Sequence, residues 1–508
     1  MFSLAILIGV YSYLIFCLGL LGQFYKTNII FLTLAFLAVL LVFYKNKIKF
    51  TLKFPKISFI LLLILTLTLI NFIGALGPEL GFDALWYHLT LPKLYLLDHQ
   101  VHHIDGGLLY YSDMPKLGEM IYAAALSFGN EILAKLMHFS FGVLTLIAIY
   151  KFSRKFLDER LSLVAVLIFS SNLVFSWQST TAYVDLIRTF FEFMALWGFI
   201  NFYKNREKKW LVESAVMLGL AIAVKLLSLG SIFIFLALII MVEKKLTKNA
   251  LIYLIISLLI PLPYFFFSFV NTGNPVYPLF SQFYKTGLVF NNPLNILRLA
   301  DPISPIYLIF APLIFLHFKK LLPPVKIIAS YLVLALIIWY LTQGTGGGRF
   351  LLPYLPAFSV LVAIATGYLS KNLRQISIMT IILVSLVTIV YKMAANYKYI
   401  PVIFGVESKD KFLSENLNFS FGDFYDSDSY FKNRINSSDK VLLYGFHNLY
   451  YVDFPFVDSS YVKKGERFNY IAVQNTRLPE RFKFWKLIYI NTKTHVELYS
   501  IGGQKWAY

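Results

Sequence analysis

About thirteen runs of apolar residues, each 14 to 21 long, divide the chain, and a water-soluble fold has no interior large enough to cover so many continuous apolar segments. They fall approximately at 3–21, 28–44, 57–76, 131–150, 161–176, 184–203, 211–226, 229–242, 250–270, 303–318, 326–342, 350–369 and 375–393. A helix rising 1.5 Å per residue needs about 20 apolar residues to cross about 30 Å of hydrocarbon, and fewer inside a bundle. The runs predict a polytopic α-helical membrane protein with about 13 transmembrane helices. Composition agrees, with 58% apolar and 14% charged residues, where an ordinary soluble domain has about 25% charged. The first run lacks the basic stretch and small-residue cleavage site of a signal peptide and reads as a retained helix.

The formal charge of +19, from 46 Lys and Arg against 27 Asp and Glu, would suggest a nucleic-acid binder in a soluble chain. Here it is an orientation signal, because basic residues concentrate in alternate loops. Loop 45–56 holds five Lys, 151–160 and 204–209 four basic residues each, 244–248 and 319–326 three each, and 371–374 two. The intervening loops 22–27, 77–130, 271–302 and 343–349 hold only Lys26, Lys93, Lys116, Lys285, Arg298 and Arg349. The positive-inside rule places the first set in the cytoplasm. The N-terminus is then cytoplasmic, and the second set and everything after residue 394 lie outside a plasma or inner membrane. Membrane lipids are expected partners and nucleic acid is not. A lone Cys17 excludes an intramolecular disulfide and a multi-cysteine metal cage.

Acidic residues follow the opposite distribution. Seven of the 15 Asp and Glu before residue 395, and four of the eight His, lie between Glu79 and Glu131. Outward loop 77–130 is therefore the expected catalytic loop. Its segments 83–97 and 115–127 space apolar residues as helices do but with charged interruptions, which predicts helices lying at the membrane interface. After about residue 395 the chain turns mixed polar, with 15 basic and 12 acidic residues. Four β-like runs, KVLLYGF, FNYIAVQ, KLIYINT and HVELYSI, stand between turn residues. Residues 1–394 thus read as the membrane domain and 395–508 as a small extracytoplasmic α/β domain.

Asp83, in GFDALWYH just outside the third run, is the leading candidate base: a carboxylate at the membrane edge can accept a proton from an attacking hydroxyl or amine where water is restricted. The alternative is an ordinary helix cap. Asp185 opens the sixth run, with Arg188 and Glu192 at i+3 and i+7, so either an ion ladder along one face or a functional carboxylate is expected. Lys225 and Arg349 sit at outer ends of runs, where two cations can hold a lipid phosphate or simply reach headgroups. Glu79, His88, His102, His103 and Asp113 are less specific candidates for contact with the acceptor or with a metal. His99, His102 and His103 with Asp98 or Asp105 could bind a divalent metal, although no ligand spacing singles one out, and no other cofactor is suggested.

Lined up in order, these segments resemble the GT-C superfamily of polytopic glycosyltransferases that use polyprenyl-phosphate sugars. The likeness is strongest to the family, family 39, that contains protein O-mannosyltransferases and lipid A aminoarabinose transferases. GFDALWYHLTLPKLY resembles that family's first outward loop, whose Asp at the membrane edge is the catalytic base, a role carried to Asp83. AYVDLIRTFF resembles the second acidic position, carried to Asp185. DMPKLGEMIYAAAL resembles the following Pro-Leu segment, and VKLLSL, NTGNPVYPLF and GRFLLPYLPAF resemble segments of bacterial and archaeal members, the last placing Arg349 near the donor phosphate. KVLLYGFHNLYYVD is similar to their extracytoplasmic domain. The aminoarabinose transferases have Lys-Pro-Pro-Leu where this chain has Met114-Pro115-Lys116-Leu117, which weakens the assignment of Lys116 to phosphate. Three apolar runs, 3–21, 28–44 and 57–76, precede the expected catalytic loop, so the helices do not correspond to the family's by count.

The resemblance implies an inverting transferase that moves a sugar from a polyprenyl-phosphate donor to an extracytoplasmic lipid, glycan or protein. Two rivals remain at this point. A lipid-linked saccharide flippase would carry ionisable residues near the midplane. A glycan polymerase or ligase would use a lipid pyrophosphate-linked oligosaccharide.

Overall fold

The computed structural model describes residues 1–44, 58–283, 292–294, 296, 302–342, 347–502 and 505–508. The basic loop 45–56, Lys285, Arg298 and the stretch 343–346 before Arg349 lie outside the described residues.

Every apolar run is helical. The first half of the chain forms α1 (Phe2–Leu20), α2 (Lys26–Tyr44), α3 (Phe59–Leu76), α4 (Thr90–Asp98), α5 (Leu117–Phe128), α6 (Glu131–Ser153), α7 (Glu159–Ser170) and α8 (Leu173–Gln178). There follow α9 (Asp185–Asn205), α10 (Lys208–Val224), α11 (Leu229–Glu243), α12 (Lys248–Leu259) and α13 (Leu262–Thr272). The membrane part ends with α14 (Pro305–Leu316), α15 (Pro323–Leu341), α16 (Leu355–Gly367) and α17 (Lys371–Tyr397). Side chains of Ser58, Asn130, Asp158 and Ser304 accept backbone N–H groups at the starts of α3, α6, α7 and α14, satisfying donors that the helices leave open. Seven helices among the described residues are each long and apolar enough to cross a membrane. The pair α12 and α13, bent by 59°, brings this to as many as eight. The bend falls at Pro261, which interrupts the hydrogen-bond ladder.

Helix α9 is enclosed by the bundle. All 18 residues from Asp185 to Phe202 are buried, so the helix touches protein on every side, chiefly α6 and α10. Gly198 makes the α10 contact possible: a Cβ there would lie 3.0 Å from the Ser214 backbone.

One expected interfacial helix behaves differently. Residues Leu117 to Leu126 of α5 are all buried, packed among α1, α2, α4 and α6. The small side chains of Ala123, Ala124 and Ala125 let its neighbours close over it, and the charges that suggested an interface find buried partners instead. Before α4 the chain makes a π-helical turn, Ala84–His88, immediately after Asp83.

The tail carries a five-stranded sheet. Its strands are β1 (Val441–Tyr444), β2 (Phe456–Asp458), β4 (Tyr470–Gln474), β5 (Lys486–Asn491) and β6 (Val496–Ser500), in the order β2-β1-β4-β6-β5. A short β3 (Arg467–Phe468) pairs separately with β7 (Trp506–Ala507). Strand β1 runs parallel to β2 and β4, with Val441 opposite both Phe456 and Tyr470. Strand alternation divides the side chains. Leu442, Ile471 and Val473 join Phe468, Phe482 and Trp485 in a separate core, whereas Val441, Leu443 and Ala472 belong to the core continuous with the helices.

The segment after β1 docks on loop 77–130. Lys93 Nζ donates to the carbonyl oxygens of Tyr450 at 2.7 Å and Val452 at 2.8 Å and to Asp453 Oδ1 at 2.8 Å. Tyr450 N donates to Leu85 O at 3.3 Å. Glu131, buried at the start of α6, accepts from Lys409 Nζ at 2.5 Å and from the Tyr450 and Tyr451 hydroxyls at 3.4 Å each.

Candidate active site

Four of the predicted residues meet at one end of α9, although they are 266 positions apart at the extremes, Asp83 and Arg349. Asp185 is the first residue of α9, where the partial positive charge of a helix N-terminus favours a carboxylate. Lys225 follows the last turn of α10, in extended backbone, and Arg349 lies in the 3-10 turn Gly348–Tyr354 that precedes α16. Arg349 bridges the two acids: Nη1 is 2.7 Å from Asp83 Oδ2 and Nε 2.9 Å from Asp185 Oδ2. The other Asp185 oxygen accepts from Lys225 Nζ at 2.8 Å.

Two carboxylates thus balance two cations. The Asp185 side chain is 0% exposed, Arg349 12%, Lys225 13% and Asp83 20%, so Asp83 has the most open face of the four. Aromatic rings wall the cations. The guanidinium carbon of Arg349 lies 4.4 Å from the Tyr183 ring centroid, and Lys225 Nζ lies 5.1 Å from that of Phe350. Asp83 N donates to the Tyr183 hydroxyl at 3.2 Å. Burial raises the proton affinity of the Asp83 carboxyl, but opposing charge, chiefly from Arg349, outweighs it and holds the group below the usual carboxylate range.

Comparison with solved structures finds the same architecture. ArnT from Cupriavidus metallidurans bound to undecaprenyl phosphate superposes with a TM-score of 0.64 at 12% identity, covering 87% of this chain and 98% of that one. Its apo state gives 0.59 at 11% identity, over 86% and 97% of the two chains. The chain shares the fold of ArnT. The family profile described as dolichyl-phosphate-mannose-protein mannosyltransferase matches residues 120–267 of the chain, a span from α5 to α13 that includes Asp185 and Lys225. The archaeal oligosaccharyltransferase AglB from Archaeoglobus fulgidus, in complex with an inhibitory peptide and a dolichol-phosphate, aligns at a TM-score of 0.48 and 10% identity, over 82% of this chain and 69% of that one. No curated protein sequence matches the chain.

The remaining predicted residues lie outside this cluster. Lys116, expected near the donor phosphate, is 1% exposed, and its Nζ lies 4.3 Å from the Phe267 ring centroid with no hydrogen-bond partner. Burial pulls its pKa down to about 8. Glu79 is fully buried, and its carboxylate accepts the N–H groups of Leu80, Gly81 and Ala182 at 2.9, 2.6 and 2.5 Å. It ties the start of the loop to the approach of α9, which accounts for a carboxylate that the sequence offered to acceptor or metal. His88 Nδ1 pairs with Glu119 Oε1 at 2.6 Å, both buried.

His102 and His103 make a separate ionic network. His102 donates Nδ1–H to the His103 carbonyl at 2.8 Å and Nε2–H to Asp98 at 2.9 Å. His103 contacts Asp113 through Nδ1 at 2.6 Å and Asp105 through Nε2 at 2.9 Å. Hydrogen bonding, to Asp98 for His102 and to Asp113 for His103, raises both pKa values. A ring that donates from both nitrogens has no lone pair for a metal. Among the described residues no three His, Cys, Asp or Glu side chains form a metal-holding group. The i, i+3, i+7 ladder on α9 is also absent. Arg188 Nε donates to Ser228 Oγ at 2.8 Å, and the ion pairs of Asp185 run sideways to Lys225 and Arg349.

Sequence reasoning passed over two residues that shape the cluster, Tyr183 and His138, and one that docks the tail, Lys93. Tyr183 faces both Arg349 and Asp83. His138 of α6 donates Nδ1–H to Thr181 O at 2.8 Å and accepts Leu186 N at Nε2 at 2.9 Å, which fixes the first turn of α9. Lys93 was counted only as a stray charge in an outward loop. A lone His within an apolar run was the available signal for His138. None marked Tyr183.

Proposed function

We propose that the chain is an integral-membrane inverting glycosyltransferase that moves a sugar from a polyprenyl-phosphate donor to an extracytoplasmic lipid, glycan or protein acceptor. The observation that carries this reading is the Arg349 guanidinium set between Asp83 and Asp185, with Lys225 on the second Asp185 oxygen. The matching architecture of ArnT, solved with undecaprenyl phosphate, supports the donor class.

The donor phosphate lies against Arg349 and Lys225. As the acceptor oxygen bonds to the anomeric carbon from the opposite face, the bond from that carbon to the phosphate oxygen breaks and the electron pair leaves on the phosphate, whose charge the two cations stabilise. The acceptor proton passes to Asp83. A carboxylate held below its usual range is ionised at neutral pH and is a sufficient base for an oxygen made acidic by its new bond. An anionic phosphate beside Arg349 offsets the guanidinium charge and strengthens that base. Asp185, unexposed and with both oxygens engaged, orients the cations. In this reading the site and the tail face outward, opposite the basic loops.

The test is transfer from radiolabelled polyprenyl-phosphate sugars by purified protein in lipid nanodiscs, wild type against Asp83→Asn. Loss of a general base lowers the rate by about 10²–10⁴, with the phosphate contacts retained. Transfer by Asp83→Asn at the wild-type rate removes Asp83 as the base, and translocation of donor without transfer supports a flippase.

A further inference from the structure

The tail places an imidazole against the two aromatic residues that flank the candidate base in the chain. Phe82 and Trp86 flank Asp83 in the chain, one residue before it and one turn after it, and both are half-buried. The His447 ring, from the segment after β1, lies 4.8 Å from the Phe82 ring at 28° and 4.3 Å from the Trp86 ring. Trp86 is itself anchored by Nε1–H donation to Leu108 O at 2.9 Å.

A relay of hydrogen bonds sets the His447 tautomer. Asn448, 1% exposed, donates Nδ2–H to Asp423 Oδ1 at 2.5 Å, which turns its amide oxygen the other way. That oxygen stands 3.0 Å from His447 Nδ1, so Nδ1 carries the proton and Nε2 presents a lone pair. The backbone is held as well: the N–H groups of His447 and Asn448 both donate to Gly422 O, at 3.2 and 3.0 Å. The expected catalytic loop thus acquires, from a segment more than 350 residues away, a fixed hydrogen-bond acceptor at the edge of an aromatic cluster in which Phe82, Trp86 and His447 contact one another.

Aromatic faces beside an oriented acceptor and a carboxylate match the chemistry of a sugar ring. The C–H bonds of a pyranose face rest on π surfaces, and its hydroxyls require acceptors. We propose that His447 is an acceptor-positioning residue: Nε2 accepts a hydroxyl hydrogen of a saccharide acceptor whose ring rests on Phe82 and Trp86, presenting a neighbouring hydroxyl to Asp83. This rests on the transferase reading for Asp83 and narrows its acceptor to a carbohydrate. Recognition is then shared between the outward loop and the tail sheet.

The experiment measures binding without turnover. The full chain in lipid nanodiscs, free of sugar-based detergent, is titrated with methyl α-D-mannopyranoside and methyl β-D-glucopyranoside and followed by saturation-transfer NMR. At least one glycoside is expected to receive saturation. His447→Ala should weaken it by about tenfold, the worth of one hydrogen bond, and Trp86→Ala should do likewise. His447→Gln should restore most of the affinity, because its amide oxygen again offers an acceptor, and a purely structural role would not be rescued in this way. Matched apparent Tm values separate these effects from unfolding. The proposal is overturned if His447→Ala binds normally, if His447→Gln is as weak as His447→Ala, or if neither glycoside is saturated while a Ser/Thr peptide is. Failure of the transferase reading itself would appear in the Asp83→Asn turnover assay and leave these titrations unchanged.

Discussion

Asp185→Asn removes a charge and keeps the shape of the side chain, which makes it the cleanest probe of the buried cluster. In the wild type two carboxylates face two cations. In the variant Asp83 alone faces Arg349 and Lys225, whose side chains are only 12% and 13% exposed. Removing one partner from a buried ion pair costs about 3–5 kcal/mol. The Asn oxygen still accepts one hydrogen bond, so the lower end, about 3 kcal/mol, is expected. With an unfolding entropy of about 2.1 cal/mol/K per residue, 508 residues correspond to about 1 kcal/mol/K, and the apparent Tm falls by about 3 °C. The assay is thermal unfolding in nanodiscs by tryptophan fluorescence at one fixed scan rate, because unfolding of such a chain is irreversible. Adding Lys225→Met restores the charge balance, and the double variant should recover about 1–3 kcal/mol relative to the sum of the singles. If Asp185→Asn melts with the wild type and the double variant shows only additive loss, the cluster is not held by charge balance and the reasoning fails.

Two further perturbations reach other parts of the molecule. The His102 and His103 pairs, with folded pKa values raised above the unfolded value of about 6.5, contribute fully below that pH and lose their contribution as pH rises through the folded values. Amide exchange in residues 98–113 should therefore speed up above neutral pH beyond its intrinsic dependence, and His103→Gln should flatten the effect; a protection factor constant from acid to alkaline pH would refute it. Lys93→Met leaves three tail acceptors without their donor, so limited proteolysis should cut the region around residues 447–453 faster while the helices remain intact, and an unchanged cleavage pattern would show that the tail is held elsewhere.

The helices were legible because each apolar run is long enough to demand one, and the four strands β1, β4, β5 and β6 because each is a short run rich in β-branched, aromatic and other apolar residues bounded by turn residues. Strand β2 has three residues and β3 and β7 two each, too short to leave a period. The bend at Pro261 and the 3-10 turn before α16 lay in runs that read as single spans, since hydropathy registers length and not direction. The burial of α5 was hidden because charge interruptions mark an interface only where no neighbouring helix covers them. At the site, Asp83, Asp185, Lys225 and Arg349 stood out as ionisable residues at the edges of apolar runs, and the structure brings these four together. Lys116, Glu79 and the histidine pair satisfied the same criterion but are engaged by rings, backbone N–H groups and neighbouring carboxylates. Sequence position reports proximity to the membrane edge, whereas the side chain's partner depends on the packing of distant helices. For the same reason His447, in the tail, carried no signal.

The enclosure of α9 bears on how the chain is inserted during synthesis. A helix with Asp185, Arg188 and Glu192 in its first two turns is a poor substrate for release into lipid by itself, each such charge near the bilayer centre costing about 2.5–3.5 kcal/mol on insertion scales. Its partners are made on both sides of it: α6 is already present, but Lys225 and Arg349 emerge 40 and 164 residues after Asp185. The segment that anchors the cations must therefore be retained beside the insertion machinery, or leave it paired with α10, until the later helices arrive. Substitutions in α10 that loosen its contact with Gly198 would then reduce the amount of correctly threaded protein before they altered the rate of any molecule that assembled.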